Sequence, residues 1–307
     1  MKQERYLDQL IKNKLFYFNR LHIAEIDNEP VAKIFSKSIL EQEICLFADK
    51  VYSGDEYCRL LHQKIKNAVQ NRQPLPVVRF ADGEYAFYKY TLACNGLYKQ
   101  TESVEAIKKV MPVHIVAMKH LEENGLFAPL VFPGNSNVVD QAIFPFLHRK
   151  KDSSGAGFLD FLQASGISLT PGNYIPFYVV YAYLSSAQFA QTMNGKNICI
   201  LNSEYNKNNC LNWFAEFNSH PKLSFVDIPA EYVATRWTEI KKEILGKIPY
   251  NTDLCLVGAG VGALLICTDV AKTFSIPAID TGHVINMMNG QVYKSGAIRL
   301  YTLRKKL

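Results

Sequence analysis

From residue 195 onward the sequence alternates with a regularity that few architectures accept. Apolar runs at 198–201 (ICIL), 223–228 (LSFVDI), 254–260 (LCLVGAG) and 277–280 (PAID) are separated by helix-like stretches at 210–217, 231–245 and 261–274. Strands apolar along nearly their whole length, with a helix between each pair, predict a mainly parallel sheet covered on both faces. The expected fold class is therefore α/β and Rossmann-like. A chain of 307 residues, 48% of them hydrophobic, can fill the core of such a sheet.

The first part of the chain reads differently. Residues 4–24 set Leu7, Leu10, Ile11, Leu15, Phe18 and Leu21 on roughly one helical face, with Lys12, Lys14 and Arg20 largely elsewhere. Residues 38–71 are also helix-like and stop before Pro74 and Pro76. This predicts a helical N-terminal extension over 1–72 and a main domain over 73–307. SSGAG at 153–157 reads as a loop between helices.

Several classes are disfavoured. The apolar stretches at 175–184 and 254–267 fall short of the roughly 18 residues of a spanning helix. Charges run through residues 1–14 where a signal peptide would carry its apolar core, so the cytoplasm is expected. A basic amphipathic helix leaves peripheral contact with the inner face of the membrane, or an oligomer, open. Seven scattered cysteines without a C-x-x-C pair argue against a disulfide framework or a zinc site. A formal charge of +6 without an Arg/Lys stripe suits an anionic small ligand or an acidic membrane surface better than nucleic acid.

Two stretches can carry chemistry. In VVRFADGEY, residues 77–85, a buried strand contains Arg79 and ends in Asp82, Gly83 and Glu84. If the backbone stays extended, residues i and i+2 point the same way, and the two carboxylates converge with Gly83 leaving room for close approach. Paired hard oxygen ligands suit Mg²⁺ or Mn²⁺ at a diphosphate. Arg79 could hold the carboxylates or meet a phosphate itself. The plain alternative is a hairpin turn at Asp82-Gly83, with Glu84 solvated in a first helical turn. In the second stretch, Gly258, Gly260 and Gly262 follow a strand and open a helix, and Asp280 ends the next strand. That pattern resembles a Rossmann site for S-adenosylmethionine or NAD. Here, however, the glycine loop closes the sheet instead of opening it. Its amides can still bind an anion at a helix start, and His283 lies just beyond a strand end.

Together the two stretches resemble the GT-D-type glycosyltransferases. Arg79, Phe80, Ala81, Asp82, Gly83 and Glu84 match one signature of that family, with Ala81 where glycine is usual; Ala278, Ile279, Asp280, Thr281, Gly282 and His283 match the other. The resemblance implies a nucleotide-sugar donor, usually UDP-linked, a saccharide-bearing acceptor, and a D-x-E motif (Asp82 and Glu84) engaging the diphosphate through Mn²⁺ or Mg²⁺. Arg79, Gly83 and the 258–262 glycines would help to bind the donor. Asp280, His283 and Glu204 are candidates for the base that activates the acceptor. A methyltransferase or dehydrogenase using the glycine loop, or a non-catalytic nucleotide binder on the same fold, are the competing readings.

Overall fold

The computed structural model describes residues 17–18, 43–47, 54–96, 98–131, 135 and 154–291. A two-stranded antiparallel ribbon pairs β1 (Tyr17–Phe18) with β2 (Ile44–Cys45). The helix expected over 4–24 therefore does not run through Tyr17 and Phe18, and the remainder of that expectation lies outside the described residues. The expected 38–71 helix is strand at Ile44–Cys45, and helix α1 spans Gly54–Asn71. It stops where Arg72 turns left-handed, at φ 47°, before Pro74.

The six strands of the main sheet are β3 (Leu75–Phe80), β4 (Leu126–Pro129), β5 (Asn197–Asn202), β6 (Lys222–Asp227), β7 (Leu254–Gly258) and β8 (Pro277–Asp280). They lie in the order β4-β3-β8-β7-β5-β6, and every neighbouring pair is parallel. The five strands expected from the apolar runs are all in this sheet. Val77, Val78 and Phe80 of β3 are fully or almost fully buried, each a side chain worth about 1.5–3 kcal/mol when taken from water. Helices α2 (Asp82–Tyr88), α3 (Val104–Asn124), α4 (Ser154–Ala164), α5 (Phe177–Leu184) and α6 (Ala187–Thr192) precede β5. Helices α7 (Lys207–Ala215), α8 (Val233–Gly246), α9 (Ala263–Phe274) and α10 (Val284–Met288) follow it.

Two helical layers enclose the sheet. Helix α1 packs on β3, β8 and α5, whereas α9 packs on β3, β7, β8, α3 and α8. Of residues 153–157, expected as a loop, 154–157 begin α4 instead, and 153 lies outside the described residues. Their glycines serve close packing: a Cβ at Gly155 would meet Asn135 Oδ1 at 2.6 Å, and one at Gly157 would meet Lys89 Cε at 2.8 Å. Among the described residues no helix is long and apolar enough to cross a membrane.

Candidate functional site

All six strands are parallel, so the turns that leave β3, β7 and β8 open onto one edge of the sheet. The chain leaves β5 towards β6 and β7 towards β8, in opposite directions, which opens a crevice between Asn202 and Gly258. Helix α2 and the glycine turn 260–262 pack against each other at this edge.

Arg79 does not point into that crevice. Its guanidinium is buried and ion-paired with Asp280, Nη2 to Oδ1 at 2.8 Å. Nε donates to the Asp280 carbonyl at 3.0 Å and Nη1 to the Tyr181 hydroxyl at 2.5 Å. The rings of Phe177 and Tyr181 lie 5.0 and 4.6 Å from Arg79 Cζ, a cation–π cage supplied by α5. Asp280 also receives the backbone N–H of Arg79 on Oδ2 at 3.2 Å and that of Gly282 on Oδ1 at 3.0 Å. Burial alone would make Arg79 easier to deprotonate; Asp280, with Tyr181 and Glu84, outweighs it and holds the pKa above the ordinary arginine value. A buried pair so fully hydrogen-bonded is a fixed brace between the ends of β3 and β8. Gly282 belongs to that brace: its φ is +43°, and a Cβ there would sit 1.8 Å from Arg79 Nη2.

Asp82 and Glu84 lie in the first turn of α2 and not on extended backbone. Residues i and i+2 of a helix do not share a face, so the convergence expected from strand geometry is replaced by a division of roles. Asp82 is exposed at the rim, and Gly83 has open space beside it. Glu84 turns back so that Oε2 accepts the Ala81 N–H at 2.8 Å, as in a capping box. Burial, and next the charge of Asp280, push its carboxyl up to about 7, against the Ala81 hydrogen bond and Arg79.

His283, one residue before α10, is driven down to about 4 by burial and by Arg79, and is neutral at pH 7. Its Nδ1 lies 3.4 Å from Asn286 Nδ2, which donates to Tyr98 Oη at 3.0 Å. The glycine turn is drawn into the same network. Gly260 has φ +52°, the Val261 N–H donates to Gln100 Oε1 at 3.0 Å, and the Gly262 N–H donates to the Ala259 carbonyl at 3.1 Å. Two of its amides are thus engaged within the chain. A Cβ at Gly258 would strike Asn202 Oδ1 at 2.7 Å, and one at Gly262 would strike Val233 Cγ1 at the same distance. Glu204 is exposed beyond β5, and its Oε2 accepts from Gln291 Nε2 at 2.9 Å.

Tyr181, Tyr98, Gln100 and Asn286 escaped the sequence reading. Tyr181 sits in the run FYVVYAYL, where only hydroxyls distinguish it from core, and the other three join the site through contacts far apart in the chain. Among the described residues no three His, Cys, Asp or Glu side chains gather as a metal cluster. Asp82 and Glu84 supply two carboxylates, the number that Mg²⁺ or Mn²⁺ commonly takes from protein before water and phosphate oxygens complete its shell. Burial, and next Asp280, disfavour the ionised form of Glu84, a cost that a nearby cation would offset. In this conformation Asp82 is the carboxylate open to such an ion, and Glu84 would have to turn from the Ala81 N–H to join it.

Neither curated proteins nor solved structures gave a match to this chain. Residues 158–288 match the GT-D-like family, described as a GT-D fold-like domain. The matched segment carries α5 with Tyr181, the glycine turn, Asp280 and His283, while Arg79, Asp82 and Glu84 lie before it and reach it through the buried ion pair. By this match residues 158–288, somewhat under half of the chain, are similar to a GT-D fold-like domain.

Proposed function

We propose that the protein is a metal-dependent glycosyltransferase that moves a sugar from a nucleotide-diphosphate donor, a UDP-sugar, to a saccharide-bearing acceptor. The observation that carries this reading is the Arg79–Asp280 brace, which ties the strand before the D-x-E turn to the GT-D-like segment. Asp82 and Glu84 would hold Mn²⁺ or Mg²⁺, and that ion, when bound, neutralises charge growing on the departing diphosphate. The protein supplies position and protonation state. Transfer breaks the bond between the anomeric carbon and the phosphate oxygen and forms one to the acceptor oxygen, whose proton must leave. His283, neutral beside the buried guanidinium, can accept a hydrogen bond from an acceptor hydroxyl. Asp280 has both oxygens engaged by donors, which favours a positioning role for it.

Calorimetry of UDP binding with Mn²⁺ and with chelator tests the proposal, in the wild type and in Glu84→Gln. Binding should be at least about tenfold tighter with metal, and the variant should lose that gain together with transfer, a contribution of a few kcal/mol. Metal-independent UDP binding, or tighter binding of NAD or S-adenosylmethionine, would favour a cofactor at the glycine turn instead.

A further inference from the structure

The edge of the sheet opposite the candidate site holds a second concavity. A cleft of about 610 Å³ runs between α1 and α6 and ends at Lys196, the residue before β5. Its volume falls within the range of small-ligand pockets. Strand β5 separates it from the crevice at Asn202 by roughly 17 Å, five strand rises, so the cleft is not an extension of that crevice.

One wall comes from α1, where His62, Lys66, Val69 and Gln70 follow one another at helical spacing on a single face. The other comes from α6, with Gln188 and Gln191. Val69 is buried, so the polar groups stand over an apolar floor. Among the described residues no Asp or Glu lines the cleft, and neither Lys66 nor Lys196 has a carboxylate partner. Asp253, which accepts from Asn197 beside Lys196, is already engaged by the Asn197 N–H and by Arg72. Six of the seven ion pairs seen among the described residues have at least one side chain nearly half exposed or more, and neither of these two lysines belongs to any of the seven.

From the cleft, its two unmatched ammonium groups and its amide-bearing walls, we propose that this groove is a binding site for a phosphate group, distinct from the nucleotide-sugar site. Two point charges and several neutral N–H donors suit a tetrahedral polyanion, for which lysine serves as a flexible partner. His62 contributes from the inner wall, where its Nδ1 lies 3.3 Å from the Tyr183 hydroxyl. Burial and the charge of Lys66 depress its pKa, so it is largely neutral at pH 7 and leaves the positive field to the lysines. The phosphate can come from a soluble metabolite or from a lipid headgroup. The groove chemistry is the same for both.

The test uses the full chain in chelator, with inorganic pyrophosphate as the soluble probe and vesicles of phosphatidic acid in phosphatidylcholine as the lipid probe. Pyrophosphate should bind saturably, shift the His62 imidazole resonance, and weaken several-fold between 50 and 500 mM salt. The Lys66→Ala/Lys196→Ala double variant should lose at least tenfold in affinity, while Glu84→Gln should bind as the wild type does. Vesicle cosedimentation that is lost in the double variant, without saturable pyrophosphate binding, would assign the phosphate to lipid. Binding of either probe undiminished in the double variant, or no binding of either by the wild type, overturns the proposal. Failure at the nucleotide-sugar site would leave both outcomes untouched, because every measurement is made without metal or donor.

Discussion

Asp82 stands just past the end of β3 and Asp280 is the last residue of its parallel neighbour β8, at the same edge of the same sheet, and their circumstances are opposite. Asp280 is buried, with one oxygen on the Arg79 guanidinium and the Gly282 N–H and the other on the Arg79 N–H. Asp82 is exposed on the first turn of a helix, with open space beside the following glycine. The same side chain is a structural fastener in one place and an available ligand in the other. Burial and donor count make the difference, and Glu84, half-buried and raised to about 7, lies between the two extremes.

Removing the fastener should have the largest effect. Arg79→Ala leaves Asp280 buried without its cation, a loss of about 3–5 kcal/mol that thermal and denaturant unfolding would both register. A drop of less than about 1 kcal/mol would show that the brace is dispensable. Gly282→Ala attacks the same brace through the backbone. The left-handed φ and the collision with Arg79 together should cost about 2–4 kcal/mol, with Arg79→Ala/Gly282→Ala losing much less than the sum of the two.

A subtler contrast lies in the pH dependence of the metal-free protein. His283 falls from 6.5 in the unfolded chain to about 4, so the unfolded state binds the extra proton and stability drops as pH falls from 6.5 towards 4. Glu84 rises from 4.5 to about 7, so the folded state binds the extra proton and stability drops as pH rises from 4.5 towards 7. Between about 4.5 and 6.5 these two slopes oppose each other, and the wild-type contribution of this site should be nearly flat. His283→Gln should expose the falling slope and Glu84→Gln the rising one, each about 2 kcal/mol across the window in urea melts at stepped pH. Parallel curves for all three proteins would remove both residues from the titration. The smallest expected effect on stability belongs to Asp82→Asn, within about 0.5 kcal/mol, although metal-dependent UDP binding should fall with it.

The fold was legible to the extent that its signals were local. Near-continuous apolar strands such as 198–201 and 254–257, separated by helical stretches, identify a buried parallel sheet because only such a sheet hides both faces of a strand. The same logic failed where burial erased periodicity. FYVVYAYL is helix α5 but has no polar face, and the glycines of SSGAG enter a helix because neighbouring side chains leave no room for a Cβ. At the site, the residue types of both signatures were readable, whereas their geometry was not. The turn of the chain into α2 at Asp82 undid the i, i+2 convergence, and Arg79 found its partner 201 residues away, a distance at which no local pattern speaks.

That separation has a consequence for how the molecule comes into being. Strand β3 leaves the ribosome early, yet its neighbour on the inner side, β8, is the last strand of the sheet to be made. Until it arrives, β3 offers an unpaired apolar edge with a cation in it, the kind of surface that recruits chaperones or other nascent chains. Closure of so long a loop is slow, and it is the event that creates the edge carrying the candidate site. Competence at that edge therefore reports completion of the whole sheet.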